Sequence, residues 1–195
     1  MKQQHTLERL RTRRSALDLA PDTFRAVGHQ LVDRLAGFLE SLPDCAVTPS
    51  ESPEAVREAI AAQRTLPESG RDAAAITAEA ARLLLDYSLF NGHPRFFGYI
   101  TSSAAPIGAL ADLLASAINC NVGAWKLAPA ATEIEAQTIR WIAEFIGYPA
   151  DCGGLLVSGG NMANFVGFLT GRMSAGGMEL RKQGVGGRRL RCYCS

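Results

Sequence analysis

Hydrophobic positions at the start of the chain fall at helical spacing. Phe24, Val27, Leu31, Leu35, Phe38 and Leu42 recur every three to four residues, which puts them on one helix face. Asp22 stands where an N-cap belongs, and Pro43 ends the run. Pro53 suits the first turn of a short helix reaching about Arg64. Asp72 can cap a third helix with Ile76, Ala80, Leu83, Leu84 and Tyr87 on one face. Residues 1–20 read as a flexible arm. Residues 21–90 read as helical hairpins without a strand signal, too thin to close a core by themselves.

The pattern changes at residue 91. His93-Pro94-Arg95-Phe96-Phe97-Gly98-Tyr99 crowds three aromatics beside Pro and Gly, and Pro106 opens an apolar helix through Asn119. Residues 121–129 form a loop holding Trp125 and Lys126. Thr132 and Glu135 match a capping box for a helix carrying Ile134, Thr138, Trp141, Ile142 and Phe145, which stops near Gly147. Gly153-Gly154-Leu155-Leu156-Val157 reads as a buried strand, Ser158-Gly159-Gly160-Asn161 as a turn, and Met162–Arg172 as a helix. Residues 174–187 are glycine-rich and loose, and Leu190–Cys194 alternates like a second strand. Strand, helix and strand open a βαβ unit, so the chain reads as an α/β domain cut off inside its sheet.

Composition narrows the classes. Hydrophobic residues make up 47%, enough for a core, which excludes a disordered chain. A net charge of +1 argues against a general nucleic-acid binder. The longest apolar stretch, Ala104–Ile118, is interrupted by Asp112 and falls short of a membrane span. Five cysteines without framework spacing, and no secretory leader, point to free thiols in a reducing cytoplasm. Cys192 and Cys194 lack the spacing of a metal or redox pair, so no metal site is expected.

The strand–SGGN–helix junction carries the sharpest local chemistry. Glycines let backbone amides approach a ligand, and a helix N-terminus favours an anion. A phosphate cradle and a plain capped turn both fit these residues. His93 could act as an acid/base group or fill a packing and hydrogen-bonding role.

Three stretches taken together resemble one family: HPRFFGYITSSAAPIGALADLLASAINCNVGAW, APAATEIEAQTIRWIAEFIGYP and GGLLVSGGNMANFVGFLTGR. They are similar to the group II pyridoxal-phosphate-dependent decarboxylases, which include the aromatic-L-amino-acid, tyrosine, histidine and glutamate enzymes. The likeness runs from about residue 21 to the end and sits closer to the aromatic and tyrosine enzymes.

The resemblance implies an aspartate-aminotransferase-like (fold type I) large domain beginning at residue 91, preceded by a dimerisation segment over residues 21–90. It implies pyridoxal 5'-phosphate as cofactor, an L-amino acid as substrate and a homodimer as the working form. By position, Gly160 and Asn161 would contact the cofactor phosphate, although many relatives carry a small hydroxyl residue where Asn161 stands. Tyr99, Ile100 and Ser102 match pocket-lining positions for the substrate, and His93 matches a structural residue. The family's Schiff-base lysine lies far downstream of the phosphate turn, and none of Lys2, Lys126 or Lys182 matches it. No catalytic residue is therefore expected among these 195, and the chain alone is expected to be inactive. The other expectation consistent with that gap is a non-catalytic chain docking on a full-length subunit.

Overall fold

The computed structural model describes residues 10, 15, 17–62, 65–149, 151–176, 180–185 and 191–193. The expected arm over residues 1–20 lies largely outside them, as do Lys2, Leu190 and Cys194. The chain divides into two compact units, Met1–Ala111 and Asp112–Ser195.

The first unit is built on α1 (Pro21–Ser41), α2 (Pro53–Ala59) and α3 (Ala73–Asp86). Pro21 takes the first helical position of α1, so Ala20 is the N-cap and Asp22 falls inside the first turn. Asp22 instead accepts from Arg25 at 2.6 Å, correcting its expected capping role. Ser41 ends α1, and Pro43 follows inside a 3-10 turn, Leu42–Asp44. The Ser52 hydroxyl caps α2 by accepting from the Ala55 amide. The Glu54 carboxyl is held below the usual carboxylate range by its own backbone N–H, the Ser52 hydroxyl and Arg57. Asp72 caps α3 as expected, accepting from the Ala75 amide at 2.9 Å.

The face of α3 that packs is not the expected one. Val27, Leu31 and Arg34 of α1 meet Ala74, Ala78 and Ala81 of α3 around a groove of about 250 Å³. Ile76 and Leu84 point outward, 49% and 66% exposed. Small side chains let the helices approach closely. They also leave the Ala78 carbonyl open, and the Arg34 guanidinium donates to it at 2.7 Å. Phe38 and Phe90 close one end, their ring centroids 4.7 Å apart.

α4 (Pro106–Ile118) ends on Asn119 in the left-handed region, φ 47°. The second unit continues through a 3-10 turn (Trp125–Leu127) into α5 (Pro129–Phe145), α6 (Gly160–Gly176) and α7 (Leu180–Gln183). No described helix is long and apolar enough to cross a membrane. Pro129 starts α5 one turn before Thr132, so the expected capping box does not form. The Thr132 hydroxyl donates back to the Ala128 carbonyl instead. The expected face of α5 is again exposed, with Trp141 at 62% and Phe145 at 90%, while Ala143 is buried. α6 runs on to Gly176, and α7 follows it where a loose segment was expected. A Cβ on Gly176 would collide with Leu180, which is buried.

No strand forms among the described residues. Residues 152–157 belong to no helix or strand, and residues 191–193 form no strand. This corrects the strand expected over residues 153–157, because a strand exists only through hydrogen bonds to a neighbouring strand, while the ends of the second expected strand, Leu190 and Cys194, lie outside the described residues. Among the described residues only Ala81, His93, Ala128, Ala143 and Leu180 are buried. The apolar helix faces are accordingly uncovered.

Two helices end in the same way. The Tyr148 amide donates to the Ala143 carbonyl at 2.7 Å and the Gly147 amide to Glu144 at 3.0 Å, a Schellman ending with Gly147 at φ 73°. α2 repeats it with Ala62 to Arg57 and Ala61 to Glu58, but Ala61 holds φ 49°. A left-handed L-residue costs about 1 kcal/mol. Ala61→Gly should therefore raise stability by about that amount and Gly147→Ala lower it by a similar amount. Thermal unfolding of the two variants checks both signs.

Candidate functional site

The residues expected to contact a phosphate, Gly160 and Asn161, sit where segment 152–157 meets α6. Gly159 holds φ 103°, a conformation L-residues rarely adopt. Its carbonyl accepts the first bond of α6, from the Ala163 amide at 3.1 Å. Gly159 is therefore the N-cap, and Gly160 and Asn161 are the first two helical residues. The amides of Gly160, Asn161 and Met162 point out of the first turn with no helical acceptor. A Cβ built on Gly159 or Gly160 meets nothing within 4 Å, so the approach to these donors is open. Three backbone donors at the positive end of a helix of 17 residues suit a phosphate group. The side chains of Ser158 and Asn161 are exposed beside them.

Segment 152–157 is itself held by α5. A Cβ on Gly154 would lie 2.5 Å from Ile139 Cγ2, so only glycine permits this approach. One helical turn earlier, Glu135 Oε1 accepts from the Leu156 amide at 3.0 Å. The sequence pattern suggested a different role for Glu135. The usable signal was Pro129, which moves the start of the helix upstream and frees Glu135 to bond elsewhere. Glu133, its neighbour, accepts from Trp125 Nε1 at 2.8 Å.

Tyr99, Ile100 and Ser102 lie on one exposed loop of the first unit. Tyr99 is 86% exposed at φ 60°, and its ring sits 6.2 Å from that of Phe96. A bulky residue in the left-handed region marks a constrained backbone. His93 anchors the base of this loop and is 2% exposed. The Arg95 amide donates to its Nδ1 at 3.1 Å, so its Nε2 carries the proton and donates to the Cys45 carbonyl at 3.0 Å. With both nitrogens engaged, the His93 ring is fixed between its own loop and the Cys45 carbonyl. Among the described residues no group of His, Cys, Asp and Glu could hold a metal ion, and Cys45, Cys120 and Cys152 are free thiols. Lys126 lies in the 3-10 turn and Lys182 in α7.

A family profile described as the pyridoxal-dependent decarboxylase conserved domain matches residues 53–195. The chain is 34% identical over 154 residues to a tyrosine decarboxylase of Oryza sativa subsp. japonica, covering 78% of this chain and 28% of that protein. It is 28% identical over 158 residues to an aromatic-L-amino-acid decarboxylase of Bacillus atrophaeus, covering 81% and 32%. A histidine decarboxylase of Drosophila melanogaster is 28% identical over 161 residues, covering 78% and 19%. The chain thus spans about a third or less of these relatives' lengths. A crystal structure of Oryza sativa TDC with PLP shares the fold at a TM-score of 0.72 and 22% identity, covering 88% of this chain and 37% of that one. A second, with PLP and tryptamine, matches at a TM-score of 0.60 and 25% identity, covering 69% and 28%.

Proposed function

We propose, for a chain that belongs to the pyridoxal-dependent decarboxylase family, that it forms the N-terminal third of an enzyme converting an L-amino acid, of the aromatic class, to its amine and CO2. The observation that carries this is the Gly159 turn, which presents the unpaired amides of Gly160, Asn161 and Met162 inside the matched region. Pyridoxal 5'-phosphate, when bound, supplies the sink for the electron pair left as the carboxylate departs. Gly160 and Asn161 would hold its phosphate. Tyr99, Ile100 and Ser102 would line the substrate pocket, and His93 would hold that loop in place. Residues 21–90 would serve dimerisation, supported by the apolar side chains that α1 leaves exposed, Phe24 at 54% among them. The free thiols of Cys45, Cys120 and Cys152 support a cytoplasmic setting.

The test is a subunit that joins these residues to the rest of its coding sequence, supplied with the cofactor and a panel of L-amino acids. Release of amine and CO2, fastest from an aromatic substrate, is expected. No amine from any L-amino acid would overturn the activity, and a preference for glutamate would overturn the substrate class.

A second reading, docking of these residues on a full-length subunit without catalysis, is supported by the apolar side chains that α1 leaves exposed. Co-purification of the short chain with a tagged full-length copy tests it.

A further inference from the structure

We propose that Glu135 is a positioning residue for the phosphate-binding turn, acting through the Leu156 amide. The inference rests on the phosphate site proposed above and extends it to a residue on a different helix. Leu156 precedes the Gly159 N-cap by three residues, so whatever fixes its backbone sets where the first turn of α6 begins. Two contacts one helical turn apart on α5 do this. Ile139 lies against the bare Gly154 backbone, and Glu135 Oε1 takes the Leu156 N–H at 3.0 Å.

The two contacts differ in kind. Packing on Ile139 sets how close the segment lies to α5. The hydrogen bond sets its register along the helix, because a slip of one residue would offer a different amide. A carboxylate accepting from a backbone amide is a charge-assisted bond, among the stronger ones available on a partly exposed surface. The proposed role of Glu135 is on the segment and not on the phosphate. Its effect on a bound phosphate passes through the position of the Gly160–Met162 amides.

The experiment uses the complete subunit and follows binding of pyridoxal 5'-phosphate, and of pyridoxal without its phosphate, by spectroscopic titration. Glu135→Ala should raise the Kd for the phosphorylated cofactor about tenfold, the size of one hydrogen bond to a charged group. The Kd for pyridoxal should stay the same, and amide exchange at Leu156 should accelerate. Glu135→Gln should stay within about threefold of the parent, since its carboxamide oxygen still accepts. Unchanged cofactor affinity in Glu135→Ala would overturn the role, as would equal weakening toward both ligands. If Glu135→Ala does not fold, a tenfold loss in Glu135→Gln overturns it instead. Gly160→Asp separates the two proposals. If it weakens binding and Glu135→Ala does not, only the positioning role fails. If neither weakens binding, the phosphate site itself is wrong.

Discussion

Gly160→Asp should lower the affinity of the complete subunit for pyridoxal 5'-phosphate by about a hundredfold without destabilising the fold. The two effects separate because of where Gly160 sits. Space around its Cβ is open within 4 Å and its φ is not left-handed, so an aspartate enters without strain. At the first position of α6 a carboxylate also favours the helix dipole, so stability should hold or rise slightly. The same carboxylate stands beside the amides that would receive the phosphate. Like charges in such contact cost several kcal/mol, which corresponds to about a hundredfold or more in Kd. Cofactor titration and a thermal melt on the same sample check both halves. Unchanged affinity would remove Gly160 from the phosphate site.

A polypeptide of these 195 residues is expected to release no CO2 from L-tyrosine, L-tryptophan or L-histidine above the rate of free cofactor. Three lysines are present, and the family resemblance places the cofactor lysine at none of them. The same polypeptide should bind a hydrophobic dye strongly. α4 exposes Ile107 at 75%, Leu114 at 62% and Ile118 at 63%, and exposed apolar faces of that kind invite association. Measured CO2 release and dye fluorescence check the two statements. Turnover by the short chain would mean that one of Lys2, Lys126 or Lys182 holds the cofactor. Weak dye binding would mean that the apolar faces are covered in solution.

The helices and the turn were legible in the sequence because their determinants are local. Pro53 and Pro106 each set a first helical turn through their fixed φ, and Asp72 capped the helix it preceded. The Ser158–Asn161 turn was legible for the same reason, since a left-handed backbone at a helix start calls for glycine. Where the sequence signals competed, the local pattern misled. Thr132 and Glu135 have capping-box spacing, but Pro129 outranks them because it closes the helix start one turn earlier. Asp22 lost its capping role to Pro21 in the same way.

By itself the sequence determined that the segments of α1 to α6 coil and which family the three motif blocks resemble. Only the tertiary structure decided which faces meet. Helical periodicity marks an apolar stripe but not its partner. α3 turned Ala74, Ala78 and Ala81 toward α1 because small side chains allow close approach and leave a carbonyl for Arg34. Tertiary contacts likewise set the tautomer of His93, through a carbonyl 48 residues away, and gave Glu135 its partner 21 residues downstream. Hydrogen bonds over such separations depend on where the folded chain returns, and no short-range propensity encodes that.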